Sequence, residues 1–216
     1  MCAFTARHET YILSGIMNRK KRCYDGKNLF IRKTNKFCPQ TLFVYGTYKE
    51  DGTPNFGLFC WFSYCWDGEM HVMACIGGEK LTKDRIRAQG VFSANLVTEN
   101  ILPLADYFGN NEGYITEKGT VAAVASGAKL PVPVLVDSPW TFELRVTRTI
   151  PMDDGDVFIC KIENILAAAH LMDETVPFEQ RLQQCAPVVR AASQGYFSHT
   201  GKFLGMWGEP QAQLKG

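Results

Sequence analysis

Leu42-Phe-Val-Tyr-Gly-Thr-Tyr48, Asn55-Phe-Gly-Leu-Phe-Cys-Trp-Phe-Ser63 and His71-Val-Met-Ala-Cys-Ile-Gly-Gly78 follow one another with short polar breaks between them. Each run is rich in aromatic and β-branched residues and bounded by Gly, Pro or Asp, so each reads as a strand. Asp51-Gly52 supplies the first return, because Gly accepts the positive φ that a tight turn needs. Alternation along the second run places Asn55, Gly57, Phe59, Trp61 and Ser63 on one face, and Phe56, Leu58, Cys60 and Phe62 on the other. Both faces are then largely apolar, as in a barrel wall with a ligand or a partner subunit outside. After the third run, Lys80-Leu-Thr82 leads into a short helix over 83–89, with Thr82 as its N-cap.

Further along, Val91 to Leu96 reads as a strand and Thr98 to Tyr107 as a helix capped by Thr98. Pro103 lies inside that helix and should kink it or delay its start. Asn110 to Leu130 is polar and Gly-rich, a long loop of the kind that carries specificity. Pro131-Val-Pro-Val-Leu-Val136 is a lead-in to a strand. Trp140 to Thr149 sets Phe142, Leu144 and Val146 against Glu143, Arg145 and Thr147, a half-exposed pattern. It pairs with Val157 to Ile162 across a turn at Asp153-Asp-Gly-Asp156, where the twelve-residue calcium pattern is missing. Leu166 to Met172 and Val176 to Gln184 carry helical propensity, and 196–208 forms an ordered tail. Before the first strand, Leu29-Phe-Ile-Arg32 reads as a short strand or a loop.

Of 216 residues, 23 are basic and 22 acidic. That balance gives no reason to expect nucleic acid or an anionic membrane as partner, and no apolar run is long enough to cross a bilayer. The size suits one domain with an extension: an N-terminal extension over 1–38, the main domain over 39–208 and a tail over 209–216. Met1 to Ile16 lacks a signal-peptide core. Met17 is a second possible start, and the basic cluster Arg19 to Arg22 reads as a solvated terminus. Eight cysteines occur without a Cys-x-x-Cys pair, and His8, His71, His170 and His199 lack ligand spacing, so no metal site is expected. Cys60, Cys75 and Cys160 sit in apolar runs as small hydrophobes. A reduced, cytoplasmic protein is the reading that follows.

The order of these segments resembles the flavin reductase-like family of FMN-binding split barrels, which includes flavoredoxin. The resemblance rests on the strand before Asp51-Gly-Thr-Pro-Asn55, the strand ending near Trp61, and the third strand leading to Thr82 and a helix containing Ile86. Gly90-Val-Phe-Ser-Ala-Asn95, Asp156-Val-Phe-Ile-Cys-Lys-Ile-Glu-Asn164 and Tyr196-Phe-Ser-His-Thr-Gly-Lys-Phe-Leu-Gly205 are similar to later family segments. The match runs from about Pro39 to Gly205. It implies a mainly β fold with flanking helices, a split barrel of six or seven antiparallel strands, a non-covalent FMN and a homodimer.

Candidate site residues come from both sources. The first N–H groups of a helix are unpaired and carry partial positive charge, which suits a phosphate. Thr82 adds a hydroxyl, and Lys80 and Lys83 add charge; the resemblance places the FMN phosphate here. A flavin ring needs backbone donors and acceptors along one edge and apolar surface along the other. Asn55, Phe56, Leu58, Phe59, Cys60 and Trp61 offer both, and in the family this strand runs along the flavin. Phe59 and Phe62 stand where the family has small residues, so with Asn110 to Leu130 they should narrow access to the ring. Asn95 and Tyr196 are further candidate contacts, each also readable as an ordinary packed residue.

Three activities fit. The first is an NAD(P)H-dependent flavin oxidoreductase, with NADH or NADPH as reductant and the flavin doing the chemistry, so that no catalytic side chain is required. The second is an electron carrier of flavoredoxin type that serves a redox protein. The third is a non-catalytic barrel for haem or another ligand. No Gly-x-Gly-x-x-Gly fingerprint marks a separate nicotinamide domain.

Overall fold

The structure is a computed structural model that describes residues 37–191, 195–199, 201–207 and 209–210. The expected extension over 1–38 lies outside these apart from its last two residues, as do the basic cluster, Leu29 to Arg32 and most of the 209–216 tail.

A seven-stranded antiparallel sheet forms the body. Its strands are β2 (Phe43–Tyr48), β3 (Pro54–Phe59), β4 (Phe62–Trp66), β5 (Met70–Gly77), β6 (Val91–Leu96), β9 (Trp140–Met152) and β10 (Gly155–Ala167). They lie in the order β3-β2-β6-β9-β10-β5-β4. The two outer strands, β3 and β4, are consecutive in sequence, with only Cys60 and Trp61 between them. The sheet therefore curls until its ends meet, and Cys75 N–H donates to the Trp61 carbonyl at 2.9 Å, which carries the β4–β5 ladder up to the join. That is a barrel closed by the chain itself.

The expected single strand through Asn55 to Ser63 is thus two strands, and the break resets the alternation. Phe59 and Phe62, expected on opposite faces, both pack into the barrel interior with Phe43, Tyr45, Phe92, Phe142 and Phe158. Phe43 and Phe62 have centroids 4.3 Å apart, and Phe59 stacks on Tyr45 at 4.7 Å. The other face of β2 and β3 was expected to await a ligand or a partner, yet this chain covers it. Leu42, Val44 and Phe56 pack there against Val97, Ile101, Ala105, Phe108, Leu135 and Val188. The covering pieces are helix α2 (Leu102–Asn110), strands β7 (Val124–Ser126) and β8 (Pro133–Leu135), and β11 (Val188–Ala191), which lies between β1 (Gln40–Thr41) and β12 (Gly195–Ser198).

Several element boundaries shift for local reasons. Helix α1 runs Leu81–Gln89 with Lys80 at the N-cap position and no side-chain cap, so Thr82 lies inside the first turn instead of capping it. Thr98 forms a β-bridge to Pro187, and α2 starts only at Leu102 with Pro103 in its first turn, where a missing N–H does no harm. Strand β10 continues to Ala167, which leaves only a 3-10 turn at Ala169–Leu171 of the helix expected there. Helix α3 spans Phe178–Cys185. Gly52 holds φ 84° at the expected turn.

Glu143 departs from its half-exposed pattern, being fully buried. Its carboxylate accepts from the backbone N–H groups of Ala128, Lys129 and Leu130 and from Asn164 Nδ2, all within 2.6–2.8 Å. Burial alone would raise its pKa, but these donors together hold it below the ordinary value of 4.5. A carboxyl with a lowered folded pKa stabilises the fold above the unfolded pKa, and that contribution is lost as pH falls through the folded one. Glu143→Gln should therefore lower stability at neutral pH by about 1–3 kcal/mol. The penalty should shrink below pH ~4, as read by denaturant melts at several pH values.

Candidate functional site

A cavity of about 370 Å³ opens beside β3, between the start of α1, the end of α2 and the loop after it. Gly57, Leu58 and Phe59 form one wall, and Lys80, Leu81 and Thr82 another. Phe108 to Tyr114 and Lys118 close it. The Tyr114 hydroxyl donates to Asp84 of α1, which ties the loop to the helix.

The helix start is built for an anion. Without a side-chain cap, its leading N–H groups stay available, and their partial positive charge faces the cavity. Thr82 is buried, and its Oγ1 accepts from Asn55 Nδ2 at 3.0 Å. The hydroxyl proton is thereby free to donate elsewhere. Asn55 Nδ2 also reaches Thr47 Oγ1, while Asn55 Oδ1 is buried without a partner among the described residues. Gly113 passes so close that a Cβ there would lie 2.4 Å from Asn55 Oδ1. Only a residue without a side chain allows that approach.

Lys118 is the residue the sequence reading missed. It is 3% exposed, and its Nζ donates to the Phe56 and Phe108 carbonyls at 3.0 and 2.8 Å. No carboxylate pairs with it among the described residues. Burial, followed by the neighbouring charges of Lys80 and Lys49, pushes its pKa down to about 8. Glu112 acts on it in the opposite sense, from too far to form an ion pair; a buried cation without a direct counter-charge is costly to hold, so an anion in this cavity would relieve it. Its only sequence signal was a lysine in a Gly-rich loop, which is commonplace.

The expected residues sort into two groups. Leu58, Phe59, Lys80 and Thr82 line the cavity, and Asn55 stands directly behind Thr82. The others do not line it. Lys83 turns its ammonium onto the Gly78 carbonyl. Phe56 is fully buried and stacks on Phe108, with centroids 5.1 Å apart. Asn95 is also fully buried: Nδ2 donates to the Val44 carbonyl and Ser93 Oγ, while Oδ1 accepts from Leu135 N–H and Thr141 Oγ1. With all four positions filled it braces β2, β6, β8 and β9 and has nothing left for a ligand. Tyr196 donates to Asp106 of α2 at 2.5 Å, and burial together with that bond raises its pKa to about 12. Burial likewise raises the Cys60 thiol. Phe62 faces a different cavity at the barrel end, so it does not narrow this one. Trp61 is 53% exposed at the β3–β4 join.

The model of the flavin reductase like domain matches residues 35–184. No curated protein matches this chain in sequence. Among solved structures, flavoredoxin from Methanosarcina acetivorans superposes with a TM-score of 0.77 at 18% identity, covering 87% of this chain and 100% of that one. Flavoredoxin of Desulfovibrio vulgaris (Miyazaki F) gives 0.74 at 21%, covering 84% and 98%. Nitrilotriacetate monooxygenase component B from Bacillus cereus gives 0.73 at 14%, covering 83% and 100%. At these identities the likeness establishes the fold.

Proposed function

Because this chain belongs to the flavin reductase-like family, we propose that it holds FMN in the cavity beside β3 and works as a flavin oxidoreductase reduced by NADH or NADPH. The observation that carries this reading is the convergence of Lys118, Lys80 and the uncapped start of α1 on one cavity. Glu79 and Glu112 also line the cavity, but neither pairs with Lys118 or Lys80 among the described residues, and a phosphate monoester can meet both cations and the helix start directly. Lys80 and Lys118 neutralise the phosphate, and Thr82 donates its free proton. The backbone of Gly57 to Phe59 lines the same cavity, where its donors and acceptors can meet the polar edge of a flavin ring. A bound flavin supplies hydride acceptance by itself, so this chain's residues bind, orient and shield.

We extend the reading to a homodimer in a reducing, cytoplasmic setting. Met73 of β5 and Ile150 and Met152 of β9 stand exposed on the outer face of the sheet, in three successive cross-strand rows that pass through Ile159, Val157 and Gly155 of β10. An apolar sheet face of this kind suits a second copy. The six cysteines among the described residues carry free thiols, in keeping with that setting. Sedimentation should give twice the 24.2 kDa chain mass; a monomer would refute the dimer alone.

The activity is tested by anaerobic mixing of FMN-loaded protein with NADH and, separately, NADPH. Bleaching of the flavin by at least one of them, on the time scale of turnover, is the expected result. No bleaching by either would overturn the oxidoreductase reading and leave an electron carrier served by a redox protein.

A further inference from the structure

A second cavity, of about 570 Å³, opens at the barrel end against α3. It is larger than the site beside β3 and shares no lining residue with it. Six aromatic rings stand in its walls: Phe43, Phe62, Tyr64, Trp140 and Phe142 from the barrel, and Phe178 from α3. Phe178 is 67% exposed, which is unfavourable for a phenyl ring unless something covers it.

One cation stands among these rings. Arg181 lines the cavity with its guanidinium carbon 5.9 Å from the Phe178 centroid. Its Nη1 donates to the Leu171 carbonyl at 2.7 Å. Its Nε is shielded from solvent and meets no acceptor among the described residues. No carboxylate pairs with Arg181 there either. The bond to Leu171 fixes the guanidinium, and Nη2 meets no acceptor among the described residues. A guanidinium N–H is a strong, permanently charged donor to a carboxylate oxygen.

We propose that this cavity binds a planar aromatic monocarboxylate, with the ring between the aromatic walls and the carboxylate on Nη2 of Arg181. The size falls in the range of small-molecule sites, about 300–1,000 Å³. The walls select a flat apolar body. A single guanidinium, with no lysine lining the cavity, suits one negative charge better than the two of a phosphate. The site is independent of the flavin reading.

The test is calorimetric titration of the full-length protein with 2-naphthoate and with its neutral amide, 2-naphthamide. The acid should bind at least 10-fold tighter than the amide. Arg181→Gln should abolish that preference, and Phe178→Ala should weaken both ligands several-fold, each with flavin content unchanged. Saturating FMN should not displace the acid. No binding of 2-naphthoate at millimolar concentration would overturn the proposal and indicate a cavity filled by protein. Equal affinities for acid and amide, or displacement by FMN, would overturn it as well. If Arg181→Gln does not fold, the acid–amide comparison in the unmodified protein and the Phe178→Ala titration decide the matter.

Discussion

Lys118→Met should lower the affinity for FMN by about 100-fold, or ~2.7 kcal/mol, while riboflavin binding changes little. The unmodified Nζ sits buried with two carbonyls and no carboxylate, so a phosphate is its natural counter-charge. Met keeps the length and apolar stem but removes the charge and the donors. The Phe56 and Phe108 carbonyls lose their partner in the variant, which lowers stability somewhat. Riboflavin, having no phosphate, separates that cost from the loss of an anion contact. The pH dependence gives a second readout. Lys118 deprotonates near pH 8 in the free protein, and a phosphate binds the charged form. FMN affinity of the unmodified protein should therefore fall as pH rises through about 8, and Lys118→Met should lack that fall. Equal losses for FMN and riboflavin would place the phosphate elsewhere.

Asn95→Leu should destabilise the fold by about 3–5 kcal/mol. Leu has nearly the same volume but leaves the Val44 carbonyl, Leu135 N–H, Ser93 Oγ and Thr141 Oγ1 each short of a partner in a buried site. Denaturant unfolding measures the loss. Protein that still folds should take up flavin normally. An unchanged melt combined with lost flavin would make Asn95 a ligand contact, contrary to its place in this network.

The antiparallel barrel was legible because its strands carry β-branched and aromatic runs between clear turns. Asp51-Gly52 and the β9–β10 return were both foreseen. The break at Cys60 and Trp61 was hidden, since six aromatic residues from Phe56 to Trp66 keep the pattern running where the backbone does not. Reading alternation across that break put Phe62 on the wrong face. It also obscured the fact that β3 and β4 are opposite ends of one sheet. Apolar residues on both faces of β2 signalled cover on both sides, but periodicity cannot distinguish cover by the chain's own α2 from cover by a partner.

At the site, Lys80 and Thr82 were legible because a helix start has local chemistry that a short stretch reveals. Lys118 was not, because its burial depends on α2 and β3 meeting over it, a long-range consequence of the fold. Asn95 and Tyr196 illustrate the converse. A polar residue at a strand end looks available until its partners are known, and theirs come from β8, β9 and α2. Glu143 also escaped notice, since alternation assigned it to solvent while three backbone N–H groups from the 128–130 loop enclose it.

The central claim is that the cavity beside β3 holds FMN by its phosphate. It is tested most directly by stripping the protein of any bound flavin and titrating it with FMN and with riboflavin under the same conditions. The account predicts one FMN bound per chain, with an affinity at least 100-fold above that for riboflavin. A protein that takes up no FMN, or binds the two flavins equally well, would contradict it.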